Sequence, residues 1–205
     1  MHTCDACTLL ACTREAPDRK PANCPMHDRK LMDRAFAEYS KEENRAFYIA
    51  SCVTESKGYC EWPRLKEVVE FCRLMQYEKL GMAFCSGLRR EAAIVGTVLR
   101  KHGFEVVSVI CKTGGIPKEK AGLAKEEKIR PDAFEAMCNP VAQAKFLNEQ
   151  KTRFNIVLGL CVGHDSLFYK YADAMTTTLI TKDRVLAHNP AGAVYCYESY
   201  YKNKI

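Results

Sequence analysis

From residue 79 onward the chain alternates short apolar runs with helical patterns, and that alternation leaves room for few folds besides a parallel sheet with crossover helices. The runs "GMAFC" (81 to 85), "FEVVSVIC" (104 to 111), "FNIVLGLC" (154 to 161) and "TTTLIT" (176 to 181) have the length and apolar character of buried strands. Three of the four end in cysteine. Between the first two, Ser86 can cap a helix that carries Leu88, Ala92, Val95 and Leu99 on its buried face, and Gly103 suits the left-handed position after a helix. Asn139 and Pro140 offer a cap and a first-turn proline to "NPVAQAKFLNEQ", which runs into the third strand. The same pair returns at Asn189 and Pro190 before "AGAVYCYESYY", so Cys138 and His188 each precede a predicted helix start. The fold class read from this pattern is α/β, a Rossmann-like parallel sheet with flanking helices.

Helices and a cysteine-rich segment come first. Residues 1–28 hold Cys4, Cys7, Cys12 and Cys24 in a C-x2-C-x4-C-x11-C spacing, with three prolines and no sustained periodicity. Such a segment is too short for its own core, and the close first pair suits two sulfurs gripping one metal, which would organise it on binding. Residues 29–78 are predicted to be helical and packed on the core. Leu31, Ala35 and Tyr39 share one face, as do Phe47, Ala50 and Val53. Pro63 opens a further helix lined by Leu65, Val68, Cys72 and Met75, where Cys72 reads as a small core residue. Residues 79–205 form the α/β domain with its cysteine-lined edge.

Twelve cysteines among 205 residues need a reason, because 47% hydrophobic and 27% charged residues can build a core without disulfide staples. The N-terminus has no basic start followed by a long apolar stretch, and no later run approaches a membrane span. The expectation is therefore a cytoplasmic protein with reduced thiols and no membrane partner, in which metal binding or redox chemistry accounts for the cysteines. The formal charge of +6 is spread over scattered Lys and Arg with no aromatic-interleaved stripe, which argues against nucleic acid. No glycine fingerprint for a dinucleotide or P-loop supports a nucleotide cofactor.

Parallel strands all point one way, so Cys85, Cys111 and Cys161 should share the edge where ligands of such folds bind. Cys138 joins them if its helix starts there. Helix N-termini favour thiolates, which suits a nucleophile or a metal ligand. Taken singly, each of these cysteines is more simply core packing, and it is their joint placement that points to a site. Polar residues near the edge supply candidate catalytic roles. Lys112 lies in "CKTGGIPKEK", where Gly114 and Gly115 allow close backbone approach and lysines favour an anionic ligand. His164 and Asp165 open the helix after Cys161, with His164 placed to move a proton. Lys182, Asp183 and His188 follow the fourth strand and could position a carboxylate. The plainer readings are a solvated loop, a helix-starting acid with a structural histidine, and a surface turn.

The blocks "AFCSGLRREA", "SVICKTGG", "MCNPVAQA", "GLCVGHDSLF" and "TKDRVLAHNP" resemble, in order and over nearly the whole chain, a prokaryotic family of metal-binding proteins known as domain of unknown function 1847. The resemblance implies a cytosolic location and metal binding, and it supplies no substrate.

Sulfur is a soft ligand, so the edge site selects zinc or an iron–sulfur cluster. Four sulfurs closing around zinc would be inert, whereas three around a four-iron cluster leave one iron open as a Lewis acid. Ligands spread over distant loops favour a 4Fe-4S cluster on Cys85, Cys111, Cys138 and Cys161, acting on a small anionic molecule. At Cys4, Cys7, Cys12 and Cys24, zinc and a cluster both fit. A non-catalytic zinc-binding or metal-handling module, and an electron-transfer protein with a redox partner, remain open alternatives.

Overall fold

The computed structural model describes residues 1–15 and 19–205, and the chain divides into two units, Met1–Lys57 and Gly58–Ile205. The first unit starts with 3-10 turns at Cys4–Ala6, Ala11–Thr13 and Pro25–His27. Two helices follow, α1 (Arg29–Glu38) and α2 (Glu42–Gly58), the latter ending at the junction. Asp28 starts α1 by accepting the Leu31 N–H at 2.9 Å. Leu31, Met32 and Phe36 of α1, and Tyr39 directly after it, are all exposed.

The second unit carries the sheet. Pro63 precedes α3 (Arg64–Leu74), which buries Val68, Val69, Phe71 and Cys72. Four strands follow: β1 (Lys79–Phe84), β2 (Glu105–Ile110), β3 (Phe154–Leu158) and β4 (Thr176–Ile180). All neighbours are parallel, in the order β2-β1-β3-β4. The predicted runs contain the strands, but β3 stops at Leu158, short of the predicted 161, so Cys85 and Cys111 directly follow their strands while Cys161 comes three residues after its own. The remaining helices are α4 (Arg89–Lys101), α5 (Pro140–Glu149), α6 (His164–Tyr171) and α7 (Ala191–Tyr195). The architecture is α/β and Rossmann-like, with α1 to α3 ahead of the sheet in sequence.

The chain steps from β1 outward to β2, then crosses back past β1 to β3, so the direction of winding reverses between β1 and β3. Right-handed crossovers then put α4 on one face and α5 with α6 on the other. Side-chain alternation agrees. A Cβ added at Gly81 would come within 2.9 Å of Leu147 on α5, whereas one at Gly96 on α4 would meet Met82 at 3.5 Å. Gly81, Ala83 and Cys85 thus share the α5 face. There Ala83, Val157, Ala144, Leu147, Leu160 and Phe168 form one buried cluster that includes Cys85 and Cys111.

Two predicted caps behave differently from expectation. Asn139 does cap α5, accepting the Ala142 N–H at 3.0 Å, with Pro140 in the first turn. Asn189 does not cap α7, because Pro190 occupies the capping position and has no side-chain acceptor. Ser86 likewise makes no side-chain cap: a 3-10 turn, Ser86–Leu88, leads into α4.

A cysteine pocket at the strand edge

The pairing that ends with Phe84 opposite Ile110 sets Cys85 beside Cys111, and the Cys111 N–H donates to Phe84 O at 2.9 Å. Cys138 reaches the same place through a loop that doubles back. Pro117 pairs antiparallel with Ala136, Lys118 bridges Glu135 at 2.6 Å, and the Met137 N–H donates to Ile116 O at 2.7 Å. The Asn139 N–H then donates to Cys111 O at 2.7 Å, which brings Cys138 alongside Cys111. Gln143, wholly buried on α5, donates to Phe84 O at 3.2 Å and Val109 O at 2.7 Å, locking the helix over the strand ends. Cys161 is delivered by a turn at Gly159, whose φ of +61° favours glycine and where a Cβ would press on the Leu88 methyl groups at 2.8 Å.

Cys85, Cys111, Cys138 and Cys161 line one pocket with Pro140, Gln143, Leu160 and His164 around about 180 Å³ of empty space. Its walls meet so closely that no opening the size of a water molecule remains, so a nucleotide has no room and a metal centre would have to displace the contacts between the thiols. Cys85 and Cys111 are 8% and 2% exposed, whereas Cys138 and Cys161 are half-buried. The deeper pair is sealed and the outer pair is reachable.

The thiols are in contact. Cys111 hydrogen-bonds both Cys85 and Cys138, and its sulfur accepts the Ser86 N–H at 3.3 Å. A cation touches each of the other three sulfurs: Lys182 Nζ at 3.4 Å from Cys85, Lys112 Nζ at 3.4 Å from Cys138 and Arg184 Nη2 at 3.0 Å from Cys161. The Cys111 hydrogen bond holds Cys85 down to about 4, against the opposing effect of burial and with help from the Gly87 N–H and Lys182. Cys138 falls to about 5, again first through Cys111 and then through Lys112. Between these two sulfurs Cys111 keeps its proton, its pKa pushed far up by both hydrogen bonds and by burial. Arg184 is raised above its ordinary value by its bond to Cys161.

The other candidate residues separate into two sets. Lys112 and Lys182 touch sulfur, and His164 lines the pocket with its Nδ1 buried and unpartnered among the described residues. Asp165 instead accepts the Ser166 N–H at 2.8 Å at the start of α6. Asp183 accepts the N–H groups of Val185 and Leu186, both at 2.8 Å, while His188 Nδ1 accepts the Asp183 N–H at 3.1 Å. Asp183 and His188 are occupied in one turn, which is the plainer reading of that pair. Arg184 and Gln143 were not singled out from sequence. Arg184 lies inside the block "TKDRVLAHNP", directly after Lys182 and Asp183, whereas a glutamine inside an amphipathic helix gives no signal of its role.

Near the N-terminus Cys4, Cys7 and Cys24 line a second pocket with Thr3, Pro21, Asn23 and Pro25 around about 210 Å³. Asn23 ties its two strands of chain together by donating to Thr3 Oγ1 at 2.7 Å and Met1 O at 3.3 Å. Cys12 is exposed and does not line it. Among the described residues, no three or more His, Cys, Asp or Glu side chains stand in an arrangement that could hold a metal ion. In the edge pocket, sulfur meets sulfur directly. No described helix is long and apolar enough to cross a membrane.

Fold and site together define a parallel α/β protein with a cation-flanked thiol pocket at the point where the sheet reverses its winding. The family described as "Protein of unknown function (DUF1847)" matches residues 24–179, and the chain belongs to it. All four pocket cysteines fall inside the match, and Lys182 and Arg184 lie just past its end. The chain is also similar to "Uncharacterized protein MJ0455" of Methanocaldococcus jannaschii, with 50% identity over 175 residues, 85% of this chain and 88% of that protein.

Proposed function

We propose that the edge pocket is a sulfur-ligated metal centre, an iron–sulfur cluster of the four-iron kind, serving chemistry on a small anionic molecule in the cytoplasm. The observation that carries this reading is the convergence of Cys85 and Cys138, from two further segments, onto Cys111, which touches both. The donor set fits the group in kind: three thiols for soft metal, with two held near the thiolate form that ligation requires. Cys85, Cys111 and Cys138 would hold it, exchanging their contacts with one another for bonds to metal. Bound by three sulfurs, the cluster would supply one open iron as a Lewis acid.

The chain's own residues complete the proposal. Lys112 and Lys182 offset the charge of the sulfurs they touch. Arg184, exposed beside Cys161, presents a guanidinium fork suited to a carboxylate or another oxyanion. His164 lines the pocket, its ring Nδ1 is buried and unpartnered among the described residues, and it is the candidate there for proton transfer. Cys4, Cys7 and Cys24 form a separate candidate for zinc, a structural staple for a segment with little core.

Purification without oxygen, with iron, zinc and acid-labile sulfide counted per chain, tests this reading. The expected protein is brown, and Cys111→Ala removes its iron and sulfide while Cys7→Ala leaves both. A colourless protein whose zinc survives Cys111→Ala would overturn the cluster and leave a zinc-binding module.

A further inference from the structure

Freed of metal, the same thiols are placed for another reaction, and we infer that Cys138 and Cys111 form a dithiol pair that exchanges with small acidic disulfides. The pair is adjacent at the backbone, because the Asn139 N–H donates to Cys111 O at 2.7 Å. Backbones joined in this way run roughly 5 Å apart, within the span of about 4.4–6.8 Å between Cα atoms that a disulfide accepts. Their thiols already hydrogen-bond each other.

Position divides the roles. Cys138 is half-buried and open to an incoming molecule, while Cys111, 2% exposed, sits behind it. Lys112 is pinned over the Cys138 sulfur by its second bond, 2.6 Å to Ala136 O. The exposed Arg184 at the rim favours a disulfide that bears carboxylates, and because the pocket is closed to anything the size of water, that disulfide meets the half-buried Cys138 from the rim.

The exchange balances without a further reagent. The Cys138 sulfur attacks one sulfur of the substrate disulfide, the S–S bond breaks, and the first thiolate leaves. Cys111 gives up its proton to that leaving thiolate and attacks the Cys138 sulfur of the mixed disulfide, releasing the second thiolate. The substrate leaves as one thiol and one thiolate, which takes its proton from water, and the chain gains a Cys111–Cys138 disulfide. A cellular dithiol would restore the reduced pair.

The inference is independent of bound metal, whose content is measured first on the same preparation and reports on the cluster reading by itself. Full-length reduced protein, stripped with a chelator under nitrogen, is mixed with glutathione disulfide, digested without reductant and mapped by mass spectrometry. The expected product is a peptide pair linked Cys111 to Cys138. Cys111→Ser should trap glutathione on Cys138, and Cys138→Ser should abolish the link, whereas Cys52→Ser, at an exposed cysteine that does not line the pocket, should leave it unchanged. A persistent mixed disulfide at Cys138 in the wild type, a link to Cys85 instead, or no link at all would each overturn the assignment, and none of these depends on whether the variants fold.

Discussion

The two groups of cysteines differ less in number than in what surrounds them. At the strand edge, every sulfur touches either another thiol or a cation, and the cluster beneath them is closed by Phe168, Leu147 and Val157. In the N-terminal pocket Cys4, Cys7 and Cys24 lie among prolines and polar residues, with Cys4 exposed and Ala11 the only buried residue among the described positions 1–15 and 19–28. The first group is assembled by the fold. The second has so little apolar burial behind it that a ligand would have to supply much of its organisation. Cysteine content therefore marked both regions, while physical setting separates a poised site from a candidate staple.

The sharpest way to break this contrast is to remove apolar mass from each region. Phe168 is fully buried under the edge pocket, so Phe168→Ala should cost about 3–5 kcal/mol in urea denaturation. Phe36 on α1 is 74% exposed, and Phe36→Ala should cost no more than about 0.5 kcal/mol. Equal losses would mean that the first unit rests on burial after all.

A smaller effect tests how the backbone delivers a sulfur. Gly159 stands at φ +61° with the Leu88 side chain 2.8 Å from where a Cβ would sit. Gly159→Ala should destabilise by about 1–3 kcal/mol through strain and contact together. It should also slow alkylation of Arg184-paired Cys161 relative to Cys138, since the turn carrying Cys161 must shift. A variant as stable as the wild type would show that the turn is not held by that contact.

Much of this frame was legible in advance because it rests on short-range signals. Apolar runs bounded by breakers marked the strands, Gly103 and Asn139 marked helix ends, and parallel geometry alone predicted that strand-end cysteines would gather. Partner choice was not legible. Arg184 meets Cys161 across 23 residues and Lys182 meets Cys85 across 97, and no local pattern encodes such pairings. The second Asn-Pro pair misled because a dipeptide does not fix helical register. Cys12 misled because spacing suggested a fourth ligand, whereas the chain folds Cys4, Cys7 and Cys24 together without it.

The cations sharpen the comparison further. Cys138 lies at about 5 with Lys112 beside it, so its alkylation by iodoacetamide should continue well below neutral pH and fall away only near that value. Lys112→Met removes a positive charge from a thiolate, which favours the neutral form and should raise the midpoint by about one unit. The same depression links to stability. A folded pKa below the ordinary thiol value contributes stability that is complete above about 9 and is lost as pH falls through about 5 for Cys138 and about 4 for Cys85. Acid unfolding should accordingly steepen across that window in the metal-free chain. A pH midpoint unchanged in Lys112→Met would assign the shift to Cys111 and His164 instead of the lysine.

The smallest expected effect is the most discriminating, because it concerns a cysteine that shares burial with the pocket and nothing else. Cys72 on α3 is 0% exposed, and burial alone pushes its thiol up to about 12. The sign is opposite to that of Cys138. A raised pKa contributes stability that is complete below about 9 and is lost as pH rises through about 12. At pH 8 Cys72 should remain unmodified by iodoacetamide in the native protein and react only after unfolding, while Cys138 is modified in minutes. Should Cys72 react as fast as Cys138 without unfolding, contact with cations and neighbouring thiols would not be what distinguishes the edge pocket. If it stays silent, burial is separated from activation, and the chemistry of the pocket is traced to Lys112, Lys182 and the shared Cys111 proton rather than to the depth at which its sulfurs lie.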